Sequence, residues 1–141
     1  MTVASVMTQN PACCTPNSSL TEVARLMVDN DCGQIPVVED MMGRKLAGVI
    51  TDRDIATRIV AAGKNSADAK ACDCMTTPCV SVTLDTSLKN CCEVMETNKI
   101  RRVPVVDERG GVVGIVSLAD VVRSASASTA AAVVKEVSTD V

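Results

Sequence analysis

Aromatic and histidine side chains are missing from this chain of 141 residues, which contains no Phe, Tyr, Trp or His. Without aromatic rings it has none of the stacking platforms typical of single-stranded nucleic-acid binders. Without histidine it can build neither a histidine general base nor a Cys/His zinc site. Because the chain has no aromatic rings, any nucleobase that it binds must lie between aliphatic and sulfur-containing side chains.

Long hydrophobic runs and an excess of positive charge are also lacking. No apolar run approaches the roughly 20 residues that a membrane-spanning helix needs, and no basic stretch leads into an apolar signal core. The formal net charge is -3, and neither half of the chain is basic, which argues against a nucleic-acid partner. We expect a soluble cytoplasmic protein without membrane or nucleic-acid partners, although local positive charge would still allow a small anionic ligand.

The chain has eight cysteines, most of which occupy positions where an apolar residue is expected. In a reducing cytosol such cysteines behave as small hydrophobic residues. The segment Cys72-Asp73-Cys74 is the exception, because a C-x-C sequence can also bind a soft metal or form a strained redox pair. The interpretation as apolar residues applies to Cys13, Cys14, Cys32, Cys79, Cys91 and Cys92.

The most informative feature of the sequence is that one unit is written twice. The second half contains Lys99–Asp107 followed by Gly114–Asp120, and the first half contains Gln34–Glu39 followed by Gly48–Asp54. Each copy alone is too short to bury a sufficient core. The doubling therefore suggests that the two copies pack against each other.

The order of patterns in each copy predicts a β-α-β-β-α unit and a mixed α/β fold. Short strands are expected at Ala12–Thr15 and Val80–Leu84, and two β-branched runs joined by a turn follow the first helix of each copy. That helix carries an apolar stripe that should face a core. The stripe is formed by Leu20, Val23, Ala24, Met27 and Val28 in the first copy and by Leu88, Cys91, Cys92 and Met95 in the second.

A second helix opens at Thr51 in the first copy and at Ser117 in the second. In the first copy this helix should continue through Ile59 and Val60 to a stop at Gly63. The resulting domain prediction is a first module at 1–63, a linker at 64–73, a second module at 74–124 and a Ser/Ala-rich tail at 125–141.

An acidic residue follows three positions after Thr51 and Ser117, giving the pairs Thr51/Asp54 and Ser117/Asp120. A carboxylate can accept hydrogen bonds from both hydroxyls of a ribose, and the neighbouring hydroxyl adds a further polar contact. The same spacing is also a common helix-capping pattern. Both interpretations remain open, and a carboxylate engaged in a cap could not fully serve a ribose.

Arg101 and Arg102 stand directly before the second Pro-Val-Val run. A guanidinium pairs with phosphate through two parallel N–H bonds, so two arginines could neutralise most of a nucleotide phosphate. The alternative is a solvated turn that happens to be basic. Gly33 and Gln34 occupy the corresponding positions of the first copy, so any ligands of the two copies should bind unequally.

The paired pattern of Pro-Val-Val followed by Gly-h-h-Thr/Ser-x-x-Asp, where h is a hydrophobic residue, closely resembles the CBS domain family, named for cystathionine β-synthase. The resemblance covers roughly Val3 to Arg123. It implies two β-α-β-β-α modules that pack through their sheets as a pseudo-twofold pair, with two clefts for adenosyl ligands. It also implies dimerisation, because many such pairs form disc-shaped dimers.

The second copy also resembles the γ subunit of AMP-activated protein kinase, although that subunit has a histidine where this chain has Arg101. By this resemblance, Arg101 and Arg102 would hold phosphate, Ser117 and Asp120 would hold ribose, and Ile115 would line the base pocket. Thr15 would reach the same ligand from the other module. In the other cleft the corresponding residues would be Thr51 and Asp54 for ribose, with Val49 and Thr83 near the base.

These patterns favour a stand-alone, non-catalytic module for regulation, signal transduction or energy sensing that binds AMP, ADP or ATP. NAD and S-adenosylmethionine share the same adenosine, and no obligatory cofactor is expected. We expect a homodimer that acts on an effector protein the sequence does not name. The alternatives are a cysteine-based redox or soft-metal module on the same scaffold, or an oligomerisation module with empty clefts. An enzyme is not expected, because no nucleophile with a matched base and no P-loop is present.

Overall fold

A computed structural model of the chain describes residues 1–124. Strands and helices alternate in these residues, which confirms the predicted mixed α/β class. The predicted tail at 125–141 lies outside the described residues. In chain order the elements are β1 (Thr8–Gln9), α1 (Leu20–Asp29), β2 (Gln34–Val38), β3 (Leu46–Thr51), α2 (Asp52–Ile55), β4 (Val82–Thr83), α3 (Leu88–Asn98), β5 (Arg102–Val106), β6 (Val112–Ser117) and α4 (Leu118–Ser124).

The chain divides into two compact units whose boundaries differ from those of the sequence repeat. One unit, which we call unit A, contains residues 1–10, 80–108 and the described residues from 113. Unit B contains residues 11–79 and 109–112. The first ten residues thus belong with the second repeat, and residues 64–79 belong with the first.

Each unit has its own sheet. In unit A the strand order is β1-β6-β5-β4, with β1 antiparallel to β6 and β4 parallel to β5. In unit B the hairpin β2-β3 forms an antiparallel two-stranded sheet. The predicted strand at Ala12–Thr15 is wrong, because this segment contributes only a single bridge from Cys14 to Val37.

Two glycines explain why the segment before each repeat belongs to the other repeat's unit. In unit A the side chain of Met7 lies directly over Gly114, and Thr8 pairs with Ile115. In unit B, Thr76 forms a bridge with Val49, and its carbonyl would lie 2.7 Å from a Cβ at Gly48. Because these glycines have no side chain, the segment that contains Met7 packs directly on the sheet of unit A, and the segment that contains Thr76 packs directly on the sheet of unit B.

The core of each unit joins its first helix to its sheet. In unit A the four predicted core residues of α3 are all buried, together with Val103, Val105 and Val116. In unit B the core also includes Ala69 and Ala71, so the segment 64–73 predicted as a polar linker is partly a core segment. Its backbone is held by bonds such as Ala71 N to Ser18 O at 2.8 Å.

Two predicted core positions in unit B are exposed. On α1 the buried residues are Leu20, Val23 and Met27, whereas Ala24 and Val28 face outward. The helix buries a narrower stripe than its apolar pattern suggested. Beyond α2 the chain forms a π-helical turn at Ala56–Val60, and its wider spacing buries Ile59 while leaving Val60 66% exposed.

Candidate functional site

The clearest candidate site is an open groove in unit A with a cavity volume of about 570 Å³. Arginines and small or apolar residues share its wall. The backbone N–H of Leu118 donates to the carbonyl of Arg101 at 2.7 Å, which fixes the start of α4 beside the start of β5. The lining residues are Arg101, Arg102, Ser117, Leu118, Ala119, Val122 and Arg123.

The structure thus brings together three residues that the sequence singled out: Arg101, Arg102 and Ser117. Arg101 is exposed, and Arg102 is half-buried as the first residue of β5. Two guanidinium groups at one end of a groove form a site that attracts an anion, and each can donate two parallel N–H bonds to a phosphate.

Asp120 lies beside this groove and closes a cap with Ser117. The N–H of Ser117 donates to Oδ2 of Asp120 at 3.0 Å, and the N–H of Asp120 donates to Oγ of Ser117 at 3.1 Å. The spacing of Ser117 and Asp120 therefore forms a helix cap, which is one of the two interpretations of this pattern. The other carboxylate oxygen, Oδ1, accepts a hydrogen bond from the guanidinium of Arg123.

Arg123 is a groove residue that the sequence reasoning missed. Its side chain is 71% exposed, whereas that of Asp120 is 14% exposed. The available signal was the i,i+3 spacing of an acid and a base on one helix, which places the two side chains on the same face.

Ile115 is buried at 7% exposure within β6 and pairs with Thr8 of β1. The remaining predicted residue of this cleft, Thr15, belongs to unit B. There its N–H donates to Oγ of Ser18 at 3.0 Å, and its hydroxyl lies 3.3 Å from the same oxygen. Roles for Ile115 and Thr15 in ligand binding stay predictions.

The corresponding pair in unit B, Thr51 and Asp54, forms the same reciprocal cap, with both N–H to oxygen distances at 3.0 Å. Oδ1 of Asp54 lies 3.9 Å from Nε of Arg58, and Oδ2 lies 3.5 Å from the hydroxyl of Thr76. Arg58, four residues after Asp54, is the second partner that the sequence reasoning missed.

The other two residues predicted for this cleft lie in different units. Val49 is buried at 8% exposure in β3 of unit B. Thr83 is exposed in unit A, where its hydroxyl bonds to the carboxylate of Asp85 and lies 3.1 Å from the hydroxyl of Thr86. Their contributions to a shared cleft remain predictions.

All eight cysteines are free thiols, and most are buried as the apolar interpretation expects. Burial raises the pKa of Cys14 to about 12 and that of Cys91 to about 11. In the C-x-C segment, Cys72 is exposed, whereas Cys74 is buried and its pKa is raised by that burial. Within residues 1–124, no three His, Cys, Asp or Glu side chains are grouped as a metal site.

The model of the CBS domain matches this chain twice, at residues 3–61 and 71–127. The chain belongs to the CBS domain family. A relative, the CBS domain-containing protein YhcV of Bacillus subtilis, is 39% identical over 118 residues, which are 84% of this chain and 81% of YhcV. A plant relative, CBSX3 of Arabidopsis thaliana, is 33% identical, and the matched region spans 54% of its length.

Solved structures of CBS proteins share this fold. Hypoxic Response Protein I, crystallised with two coordinated zinc ions, is 32% identical with a TM-score of 0.81 and covers 89% of this chain and 100% of that one. CBSX2 in complex with AMP is 27% identical, and the CBS pair of protein MJ0100 with 5′-methylthioadenosine and S-adenosylmethionine is 29% identical. Both have a TM-score of 0.75 and cover 87% of this chain and 94% of their own.

These matches confirm the tandem CBS modules expected from the doubled sequence pattern. Among the helices of residues 1–124, none combines the length and apolar character needed to cross a membrane.

Proposed function

We propose that this chain is a non-catalytic regulatory module that binds an adenine nucleotide, AMP, ADP or ATP, in the arginine-lined groove of unit A. The observation that carries the proposal is the convergence of Arg101, Arg102 and Ser117 on one cavity. Its volume of about 570 Å³ falls within the range of roughly 300–1,000 Å³ typical of small-molecule sites.

The phosphate would bind Arg101 and Arg102. Both side chains line the groove, and their guanidinium groups match phosphate oxygens in geometry as well as in charge. Arg123 adds a third cation at the groove wall. Because Arg123 already bonds Asp120, we assign the phosphate to the other two arginines.

The ribose would bind Asp120 through Oδ1. A carboxylate offers about four lone pairs, so an oxygen that accepts one hydrogen bond can accept another. Oδ2 holds the N–H of Ser117, which fixes the orientation of the carboxylate, and Oδ1 is shared with the exposed Arg123. A ribose hydroxyl could therefore bond to Oδ1 alongside or in place of that guanidinium.

The adenine would lie on aliphatic side chains, since the chain has no aromatic residue. Leu118 and Val122 line the groove, and Val122 is 42% exposed. Covering this apolar surface with a base is favourable. The buried Ile115 would contribute to the same pocket.

Ligand occupancy would be transmitted to an effector protein through a change in equilibrium between two arrangements of a cytoplasmic homodimer. A ligand shifts such an equilibrium only by its differential affinity for the two arrangements. The AMP complex of the related CBSX2 supports AMP as the first ligand to test. S-adenosylmethionine, bound in the MJ0100 structure, and NAD remain further candidates.

The test is calorimetric titration of AMP into the wild-type chain and into the double variant Arg101→Ala/Arg102→Ala. Each lost charge-assisted contact is worth about 1.5–3 kcal/mol, so we expect AMP affinity to fall by roughly 100-fold or more. Far-ultraviolet circular dichroism would establish that the variant is folded.

A matched control is Arg25→Ala/Lys64→Ala, which removes the same charge from two exposed residues of unit B. It should bind AMP as the wild type does. Equal AMP affinity in the wild type and the Arg101/Arg102 variant would refute the phosphate assignment. Failure of the wild type to bind any adenine nucleotide would refute the proposed function.

A further inference from the structure

Arg123 covers the carboxylate of Asp120 beside the groove of unit A. The side chain of Arg123 lines the cavity, and its guanidinium donates to Oδ1 of Asp120. The other oxygen of this carboxylate, Oδ2, accepts the N–H of Ser117 at 3.0 Å. Each oxygen of Asp120 thus already accepts a hydrogen bond, and a ribose hydroxyl that approaches Oδ1 from the groove competes with Arg123.

The pair formed by Arg123 and Asp120 is one that a ligand can open. The side chain of Arg123 is 71% exposed, and that of Asp120 is 14% exposed. An ion pair with so exposed a partner contributes little stability, because water screens the charges and the long side chain loses conformational freedom when it is held. Replacing the guanidinium by a ribose hydroxyl therefore costs little free energy.

The arginine beside Asp54 in the first repeat is held more firmly. Nη1 of Arg58 donates to the carbonyl oxygens of Cys74 at 3.2 Å and of Met75 at 3.3 Å, and its Nε lies 3.9 Å from Oδ1 of Asp54. Arg58 is thus tied to the backbone, whereas Arg123 has no backbone anchor among the described residues. Arg58 supports the fold of unit B, and Arg123 is the arginine that can change partners.

A released Arg123 would be a third cation in a groove where two arginines already suffice for one phosphate. Arg101 and Arg102 can each donate two parallel N–H bonds, which cover most of the acceptor oxygens of a single phosphate. Arg123 lines the same cavity as these two residues. A second phosphate on the ligand would offer its guanidinium further acceptor oxygens and a negative charge in place of the carboxylate of Asp120.

We propose that Arg123 makes the groove selective for nucleoside diphosphates and triphosphates over the monophosphate. A ribose hydroxyl displaces its guanidinium from Oδ1 of Asp120, and the guanidinium then pairs with the phosphate that follows the one held by Arg101 and Arg102. Ribose and second phosphate are coupled, because Arg123 recovers a charged partner only when the second phosphate is present. This inference rests on the proposed function and adds to it the residue that distinguishes the number of phosphates.

The test is calorimetric titration of AMP and ADP in a buffer that contains EDTA, so that no divalent cation contributes. One additional charge-assisted contact should make the wild type bind ADP about tenfold more tightly than AMP. Arg123→Ala should weaken ADP binding by the same factor of about ten. Its AMP binding should stay the same or become up to about threefold tighter, because Oδ1 of Asp120 is no longer occupied. A merely structural role for Arg123 would weaken AMP and ADP together and would overturn the inference.

Two further variants control for charge. Lys89→Ala removes one positive charge from an exposed residue of α3 in the same unit, outside the lining of the groove, and it should bind both nucleotides as the wild type does. Arg123→Lys keeps the charge without the planar guanidinium, so it should recover part of the ADP affinity that Arg123→Ala loses. No recovery in a variant that is folded by circular dichroism would contradict the pairing with a second phosphate.

The 2′,3′-dideoxy forms of AMP and ADP test the coupling between ribose and phosphate. They lack the hydroxyls that would displace Arg123 from Asp120, so the wild type should bind the two with affinities within about twofold of each other. A tenfold preference retained by the dideoxy diphosphate would show that the ribose does not release Arg123. If the wild type binds AMP but binds ADP no more tightly, the inference alone fails. If it binds neither nucleotide, the proposed function fails with it.

Discussion

Gly48 has little freedom to change. A Cβ at this position would lie 2.7 Å from the backbone carbonyl oxygen of Thr76, which is held by its own bridge to Val49. Because the crowding group is backbone, it cannot rotate away. We expect Gly48→Ala to lower the free energy of unfolding by about 1–3 kcal/mol, as overpacking does.

The measurement is urea unfolding followed by far-ultraviolet circular dichroism, since the chain has no Trp or Tyr to fluoresce. Gly43→Ala is the control, because its Cβ would meet nothing closer than Oδ1 of Asp40 at 3.5 Å. Both substitutions restrict the unfolded chain equally, so the difference between them reports the native contact. Equal stabilities would show that the segment at Thr76 is free to shift.

The buried thiols predict a loss of stability in alkali. Burial raises the pKa of Cys14 to about 12 and that of Cys91 to about 11, above the ordinary value of 9.0. Below pH 9 these thiols are protonated in both the folded and the unfolded chain, so their full contribution to the free energy of unfolding is present. Between pH 9 and about 11–12 they ionise only when the chain unfolds, and stability falls as pH rises.

Urea midpoints at several pH values between 8 and 11 measure this slope. Cys14→Ala/Cys91→Ala should flatten it, while Cys72→Ser, which changes an exposed thiol, should leave it as in the wild type. If Cys14→Ala/Cys91→Ala lost stability with rising pH as steeply as the wild type, ionisation of these two thiols would not be the cause of the loss.

The placement of candidate residues was predictable from the sequence only where a local pattern was sufficient. Adjacent arginines before a buried strand indicated a cationic site, and Arg101 and Arg102 do line a groove, while their role in binding phosphate stays a prediction. Spacing alone could not decide whether Asp120 caps a helix or faces a ligand, because both need the same residues. It caps Ser117 and bonds Arg123, a partner that becomes evident only once the helix is built.

At the scale of elements, α3 begins at a serine cap. The hydroxyl of Ser87 accepts a hydrogen bond from the N–H of Asn90 at 3.0 Å. Ser87→Ala should lower the free energy of unfolding by about 1 kcal/mol, the usual loss for an N-cap. Ser81→Ala, at an exposed residue before β4, should change it by less than about 0.5 kcal/mol. Chemical unfolding of the two variants would distinguish a cap from a general effect of losing a hydroxyl.

Helices with caps and periodic apolar residues were predicted well, and short strands were not. β4 has only two residues, and the segment around Cys14 forms a single bridge. Neither segment is long enough for an alternation of apolar and polar residues to predict a strand. Pro104 lies within β5, and the pairing of that strand with β4 begins only at Val105.

At the scale of the whole chain, the repeat identified the family but not the compact units. The repeat is a property of sequence order, whereas the units follow packing. Met7 lies on Gly114 and Thr76 pairs with Val49, so each lead-in segment belongs to the unit built by the other repeat. No composition change marks this exchange, since the glycines that permit it resemble ordinary strand glycines in the sequence.

The proposed nucleotide should stabilise the folded chain, because the groove proposed to bind it exists only when β5, β6 and α4 are assembled. At a ligand concentration of 100 times Kd, the expected gain is about 2.7 kcal/mol. Thermal unfolding followed by circular dichroism should therefore give a Tm that rises much more steeply with AMP concentration in the wild type than in Arg101→Ala/Arg102→Ala. Adenosine, which lacks the phosphate, should raise the Tm of both proteins by the same smaller amount. If AMP instead stabilised the arginine variant as much as the wild type, the binding energy would come from the nucleoside alone, and the groove would not sense the phosphate.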